Sequence, residues 1–271
     1  VAELVDAHGS GPCAARRGGS SPLLGTISQN PATPVAGFCV PVPPSRQIGN
    51  PRPSRLYGPD NSERRFPVTI HLHHNDLPEG LKLGPVVAVD TETMGLDPRR
   101  DRLCLVQLSS GDGDAHLVKI ALGQTEAPRL CALMADPGTE KLFHFARFDI
   151  AALYAAFGVL TQPVFCTKIA SKMVRTFTDR HGLKYLLQEL VGVDISKQQQ
   201  TSDWGAPELS QAQMEYAASD VLYLHRLKEE LQRRLIREGR GALAQACFDF
   251  LPARARLDLL GWEEPNDIFH H

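Results

Sequence analysis

No apolar run in the 271 residues approaches the roughly 18 needed to cross a bilayer, so the sequence offers no membrane span. Near the amino terminus Glu3 and Asp6 stand where a secretory signal would need a basic stretch and then a hydrophobic block, and no such signal is expected. The six cysteines, at 13, 39, 104, 131, 166 and 247, show neither CxxC nor CxH spacing. That argues against a zinc site and a disulfide framework, and fits reduced thiols in the cytoplasm. A net basic charge is also missing. Residues 1–67 carry 7 Lys and Arg against 4 Asp and Glu, which leaves 22 against 27 in residues 68–271, a net of −5 with histidine neutral. Broad binding to long nucleic acid normally shows as a basic surface, so a nucleic-acid substrate here is expected to be short or gripped mainly through metal.

Composition is uneven along the chain. Residues 1–67 hold 11 of the 20 prolines and 8 of the 22 glycines, too little helix- or sheet-forming material for a fold, so they are expected to be a disordered or mis-annotated extension. Gly19-Ser20-Ser21-Pro22 can be encoded as GGT TCA AGT CCC, a sequence like the T-arm of a transfer RNA gene, and Ala2 to Asp6 by one like a D-arm. The expectation is that roughly the first 30 residues are such a gene read as protein, with the true start at Val68 through a GTG codon; a genuine disordered extension is the competing reading. Tryptic peptides spanning Leu4 to Arg46 in a natural cell extract would exclude the first reading.

The remaining 204 residues, 68–271, have enough apolar content for one domain with a real core. Val86 to Val89 read as a buried strand that ends by presenting Asp90 and Glu92, spaced two apart and therefore on one face. Two such acids repel and lose hydration unless a cation joins them, although Asp-x-Glu alone also reads as two solvated acids. The question becomes whether other acids can converge on them.

Val68 to Leu72 alternates as a strand, with His71, His73 and His74 read as surface residues. Gly95-Leu96-Asp97-Pro98 makes a turn; Leu103 to Ser109 and Ala115 to Ile120 then complete an antiparallel meander with the Asp90 strand. Ala127 to Ala135 is helical and Lys141 to Phe145 a short strand. Helices follow at Arg147 to Phe157, Thr167 to Phe177 and Leu183 to Val191, the last capped by Thr178-Asp179-Arg180-His181. A polar loop, Ser196 to Trp204, precedes the longest helix, which Ser210 opens and which runs to about Glu238; Ala242 to Leu251 adds another. Strands first and helices after, with one strand–helix–strand crossing, predict a mixed central sheet flanked by helices.

Asp149 lies at the start of a helix, just after the strand ending His144-Phe145, where the helix dipole alone would favour it. Asp220 follows Tyr216 by four residues, so acid and phenol share a helical face. Its neighbours Ala217, Ala218, Val221 and Leu224 are apolar, poor company for an unpaired charge.

Asp90-x-Glu92, Asp149 within His144-Phe145-Ala146-Arg147-Phe148-Asp149, and Tyr216-x-x-x-Asp220 resemble the three exonuclease motifs of the DEDDy group of 3′–5′ exonucleases. From Val68 to Phe269 the sequence is similar to one branch of the ribonuclease D-like proteins, the C-type nanoRNases. Phe165 to Lys172, Thr178 to Lys184, Ser196 to Trp204 and Tyr216 to Leu227 carry that likeness. The resemblance implies an α/β, ribonuclease H-like (DnaQ-like) fold and hydrolysis of diribonucleotides, including linear ones such as pGpG, to 5′-monophosphates. It implies two Mg²⁺ or Mn²⁺ ions about 3.5–4 Å apart. Asp90 would bridge both, Glu92 and Asp220 would complete the first site, Asp149 would hold the second, and Tyr216 would orient the attacking water. Leu96 stands where related enzymes carry an apolar wedge between two bases, though it also reads as a turn residue packed on its own domain. Thr93, His144, Arg147, Lys197, Ser202 and Trp204 are candidates for gripping phosphate, sugar or base. The resemblance also implies a homo-octameric ring, with Leu259, Leu260, Trp262 and Phe269 available for subunit contacts, and no membrane or other protein partner. Two other functions compete: ribonuclease D-type trimming of longer RNA, against which only 51 residues follow Asp220, and non-catalytic RNA binding on the same fold, against which all four acids stand.

Overall fold

Val87, Ala88 and Val89 are fully buried in succession, which a strand tolerates only when both faces of its sheet are covered. In the structure, a computed structural model that describes residues 68–270, they lie in β2 (Val86–Thr93) within a six-stranded mixed sheet. The expectations for residues 1–67 lie outside the described residues. The other strands are β1 (Thr69–His74), β3 (Leu103–Ser109), β4 (Asp114–Lys119), β5 (Glu140–Phe143) and β6 (Val164–Cys166), in the order β1-β4-β3-β2-β5-β6. β2, β3 and β4 form the predicted antiparallel meander, while β1 on β4, β5 on β2 and β6 on β5 are parallel.

Helices cover both faces. They are α1 (Pro128–Ala135), α2 (Ala146–Phe157), α3 (Thr167–Val174), α4 (Leu183–Leu186, continued by a π-helical turn Leu187–Val191), α5 (Gln211–Leu222), α6 (Leu224–Arg237) and α7 (Gly241–Leu259). α5 lies across β1 to β4 and α2 packs against β2, β3, β5 and β6. With both layers in place β3 is buried along its whole length rather than alternating as its sequence suggested.

The long helix expected from Ser210 to Glu238 is two. It breaks at Tyr223 (φ −107°, ψ 0°), because α5 must bury Tyr216, Ala217, Asp220 and Val221 against the sheet whereas α6 buries Leu224, Leu227, Leu231 and Leu235 against α3, α7 and β5. Ser210 does cap α5: its hydroxyl accepts from the Gln213 N–H while the Gln213 side chain takes the Ser210 N–H. α7 is the longest unbroken helix and passes through Pro252, where the sequence reading stopped. Proline removes one ladder hydrogen bond, but Leu251, Pro252 and Ala255 are all buried, so packing carries the helix across the gap. α4 starts at Gly182 with no side-chain cap, so Thr178 to His181 do not cap it. His74 is exposed as expected, but His71 and His73 are half-buried and cluster with His116 from β4, with ring centroids 4.8 and 5.3 Å from it and 6.4 Å from each other.

Candidate active site

Alternation along β2 turns Asp90 and Glu92 towards α5, and there the two acids meet Asp220. One carboxylate oxygen from each of the three lies within 4.8 Å of the other two. Tyr216, one helical turn before Asp220, lines the same cleft. Gln107, opposite Asp90 on β3, donates its side-chain amide to Asp90 Oδ2 at 3.4 Å.

Asp149 arrives from the other layer. It sits in the first turn of α2, and its Oδ1 accepts a 2.7 Å hydrogen bond from Thr91, the residue between the paired acids. It stands outside the three-oxygen cluster but lines the same cleft together with Asp90, His144, Lys197, Tyr216 and Asp220. The chain reaches α2 through Phe145, whose φ of 68° is left-handed, a conformation that costs a non-glycine residue about 1–3 kcal/mol and is found where the surroundings enforce it. Beside it, Thr167 gives its hydroxyl proton to the Phe143 carbonyl, so at 2.8 Å it must accept from His144 Nδ1. His144 Nε2 is then the acceptor nitrogen of the neutral ring.

The electrostatics are strained in one direction. Burial raises Asp90, and burial reinforced by the charges of Asp90 and Asp220 raises Glu92 well above the usual range. Asp149 is also raised well above it by burial and by Asp90, with the Thr91 hydrogen bond working the other way. Tyr216 is pushed above its ordinary range by burial and then by Asp220, Glu92 and Asp90. Each of these shifts would be relieved by positive charge in the middle. An all-oxygen donor set of this kind suits a hard divalent cation, so the residues present fit Mg²⁺ or Mn²⁺.

The remaining predicted residues divide. Lys197 and His144 line the cleft. Thr93 is buried at the end of β2 with its hydroxyl on the Gly95 carbonyl, and Leu96 follows at 42% exposure in the loop beyond, outside the cleft lining. Arg147 is committed elsewhere: its guanidinium makes a two-pronged pair with Asp258 of α7 at 2.6 and 2.7 Å, locking α2 to α7. Trp204 is not a surface for bases either. It is almost fully buried and packs against Tyr216 at 6.0 Å between ring centroids, beneath the active-site helix. Ser202 donates to the Gln199 carbonyl at 2.8 Å and holds the loop rather than facing the cleft. Sequence reasoning passed over Lys184, Ser196 and Gln200, which line the cleft, and Thr91 and Gln107, which hold two of the acids. The two holders had a signal: one lies between the paired acids and the other is a polar residue in a strand otherwise apolar from Leu103 to Leu108.

The sheet order and the clustered acids define a nuclease of the ribonuclease H-like fold class, and comparison with known proteins agrees. A family model described as 3′–5′ exonuclease matches residues 67–236, and the chain belongs to that family. Within it the chain is NrnC-like: it is 60% identical to Brucella melitensis NrnC bound to pGG, with a TM-score of 0.73 over 75% of this chain and 99% of that one. The same protein with bound Mg²⁺ matches at 58% identity and a TM-score of 0.72, covering 75% of this chain and 100% of that one. Ribonuclease D of Granulibacter bethesdensis is 41% identical over 209 residues, 74% of this chain and 52% of that protein. The chain spans about half the length of the curated relatives it matches.

Because these carboxyls are raised in the folded protein, the native state without metal holds more protons than the unfolded chain once the pH exceeds about 4, the ordinary carboxylate value. Its stability is therefore expected to fall as pH rises from that value through the raised ones. Melting in chelator between about pH 5 and 8 should show that fall, at about 2–4 °C per kcal/mol lost. Glu92→Gln should flatten it, and added Mg²⁺ should raise the wild-type melting temperature more at the upper pH than at the lower. A slope in Glu92→Gln as steep as in the wild type would refute the electrostatic account.

Proposed function

We propose that this protein is a 3′–5′ exoribonuclease acting on very short RNA, dinucleotides above all and linear ones such as pGpG among them, to release nucleoside 5′-monophosphates. The carrying observation is the gathering of Asp90, Glu92 and Asp220, with Asp149 lining the same cleft as Asp90 and Asp220. The net negative charge of residues 68–271 argues against a groove for a long strand, and a pGG-bound relative supports the ligand class.

In this reading Asp90, Glu92, Asp149 and Asp220 would hold the divalent ions. When bound, such ions shield the phosphodiester and make a water acidic enough to attack it. Tyr216 keeps its proton at neutral pH, since its environment favours the neutral phenol, and so orients the water by hydrogen bonding rather than acting as a base. Lys184 and Lys197 give the cleft wall positive charge for phosphate oxygens, and Leu96 is exposed enough to lie against a base. We assign the catalytic domain to residues 68–271 and its location to the cytoplasm; among the described residues no helix is long and apolar enough to cross a membrane.

Trimming of longer RNA is the second reading, favoured by the similarity to a ribonuclease D. A time course on 5′-labelled RNAs of two to seven nucleotides with Mg²⁺ separates the two: dinucleotide should disappear fastest, and equal rates at every length would remove the short-RNA claim. In the same assay Asp90→Ala should be inactive, while Tyr216→Phe should lose about 10²-fold in kcat with little change in KM. Undiminished cleavage by Asp90→Ala would sink the exonuclease assignment itself.

We further propose a closed homo-octamer. Of the tail residues, Leu259 packs on the core of its own domain, whereas Leu260, Trp262 and Phe269 are exposed and available to a contact surface. Light scattering should return eight times the chain mass, and a monomer at micromolar concentration would refute it.

A further inference from the structure

A second cavity, of about 380 Å³, opens beyond the carboxyl ends of β1 and β4 and shares no lining residue with the carboxylate cleft. Its polar lining includes His74, Asn75, Arg102 and Lys119, with Leu122 and Pro207 as apolar flanks and no acid among them. The two cations are poorly satisfied. Lys119 is only 8% exposed, yet its ammonium, able to donate three hydrogen bonds, has a single acceptor, the Trp204 carbonyl at 3.3 Å. Arg102 reaches only carbonyls, those of Leu103, Ile120 and Gly205, at 3.3–3.4 Å. Among the described residues neither forms an ion pair with a carboxylate; Asp203 and Glu208 are near enough to steady Lys119, but burial outweighs them and lowers its affinity for its proton. A buried cation short of partners is costly unless something negative joins it. Gly205 permits the close approach here, for a Cβ there would stand 3.2 Å from the Arg102 guanidinium and 2.4 Å from Met94 Sδ.

We propose that this cavity is an anion site that takes the phosphate group of a small phosphate monoester, up to the size of a mononucleotide. One phosphate presents two negative charges and several acceptors to Arg102 and Lys119, and the guanidinium fork suits its oxygens in a way carbonyls 3.3–3.4 Å away do not. The volume exceeds what a phosphate needs and falls in the range of nucleotide-sized ligands, for which Leu122 and Pro207 offer apolar contact. The proposal does not rest on the substrate assigned to the carboxylate cleft, because inorganic phosphate alone should bind.

Trp204 supplies the readout, since its carbonyl is the Lys119 acceptor and any ligand of Lys119 disturbs it. The sequence has two tryptophans, so Trp262→Phe isolates it. In that background, with chelator present and ionic strength held by sodium chloride, inorganic phosphate and 5′-AMP should each give a saturable change in emission, with Kd on the order of 1 mM. Arg102→Gln should weaken both by about tenfold or more, and Asp90→Asn should change neither. If Arg102→Gln does not fold, Leu122→Glu, at a rim position 82% exposed, brings a repelling carboxylate without touching the core and should weaken both ligands too. Absence of saturation, unaltered affinity in the folded Arg102 or Leu122 variant, or loss of binding in Asp90→Asn would each overturn the assignment.

Discussion

Carboxylates that crowd one another in a place with little water push the chain apart, and at this site three of them have oxygens within 4.8 Å. A fold can hold such a group only if the segments bearing it are anchored elsewhere. β2 is anchored by Val87, Ala88 and Val89, all without exposure, and by β3 and β5 on either side. α5 is anchored by its capping box at Ser210 and by the burial of Ala217 and Val221, three residues before Asp220 and one after it. The apolar residues thus offset what the acids cost, and a divalent cation would turn the same repulsion into affinity.

The strand's period of two does more than pair Asp90 with Glu92. It also sends Thr91 to the opposite layer, where its hydroxyl holds Asp149 of α2. The four acids therefore come from both sides of the sheet, and the cleft opens where β2 and β5 end, the usual place for ligands in sheets of this kind. Reaching that geometry requires the chain to turn sharply from β5 into α2, and Phe145 takes the left-handed conformation that the turn demands. Backbone strain and charge strain sit within a few residues of each other, and both are carried by the same surrounding core.

Patterns of short range were readable directly. The meander followed from apolar runs and turn residues, and the pairs Asp90-x-Glu92 and Tyr216-x-x-x-Asp220 are local consequences of periods 2 and 3.6. What failed depended on partners distant in sequence. Arg147 looked like a phosphate ligand because it stands beside the Asp149 motif, but its partner is 111 residues away in α7, where no periodicity points to it. Trp204 looked like a base platform because its loop is polar; the loop ends by tucking the indole under α5, against Tyr216. β6 has three residues, too few for any alternation to register, and the break at Tyr223 reflects which layers α5 and α6 must each cover. Tertiary demand overrode local preference in each case.

Gln213 ties these pieces together. Its side-chain oxygen takes the Ser210 N–H at 2.9 Å and so closes the cap of α5, while its amide nitrogen donates to Ser202 Oγ at 3.3 Å and to the Asp203 carbonyl at 3.1 Å. One buried amide therefore sets both the start of the helix that bears Tyr216 and Asp220 and the end of the loop whose Ser196, Lys197 and Gln200 wall the cleft. From that loop the chain runs on to Trp204, whose carbonyl meets Lys119 in the second cavity. The cleft wall, the helix that bears Asp220 and the cationic pocket thus share one polar anchor. A change that loosens Gln213 would reach all three, because each is joined to the residues from Ser202 to Ser210 that Gln213 holds.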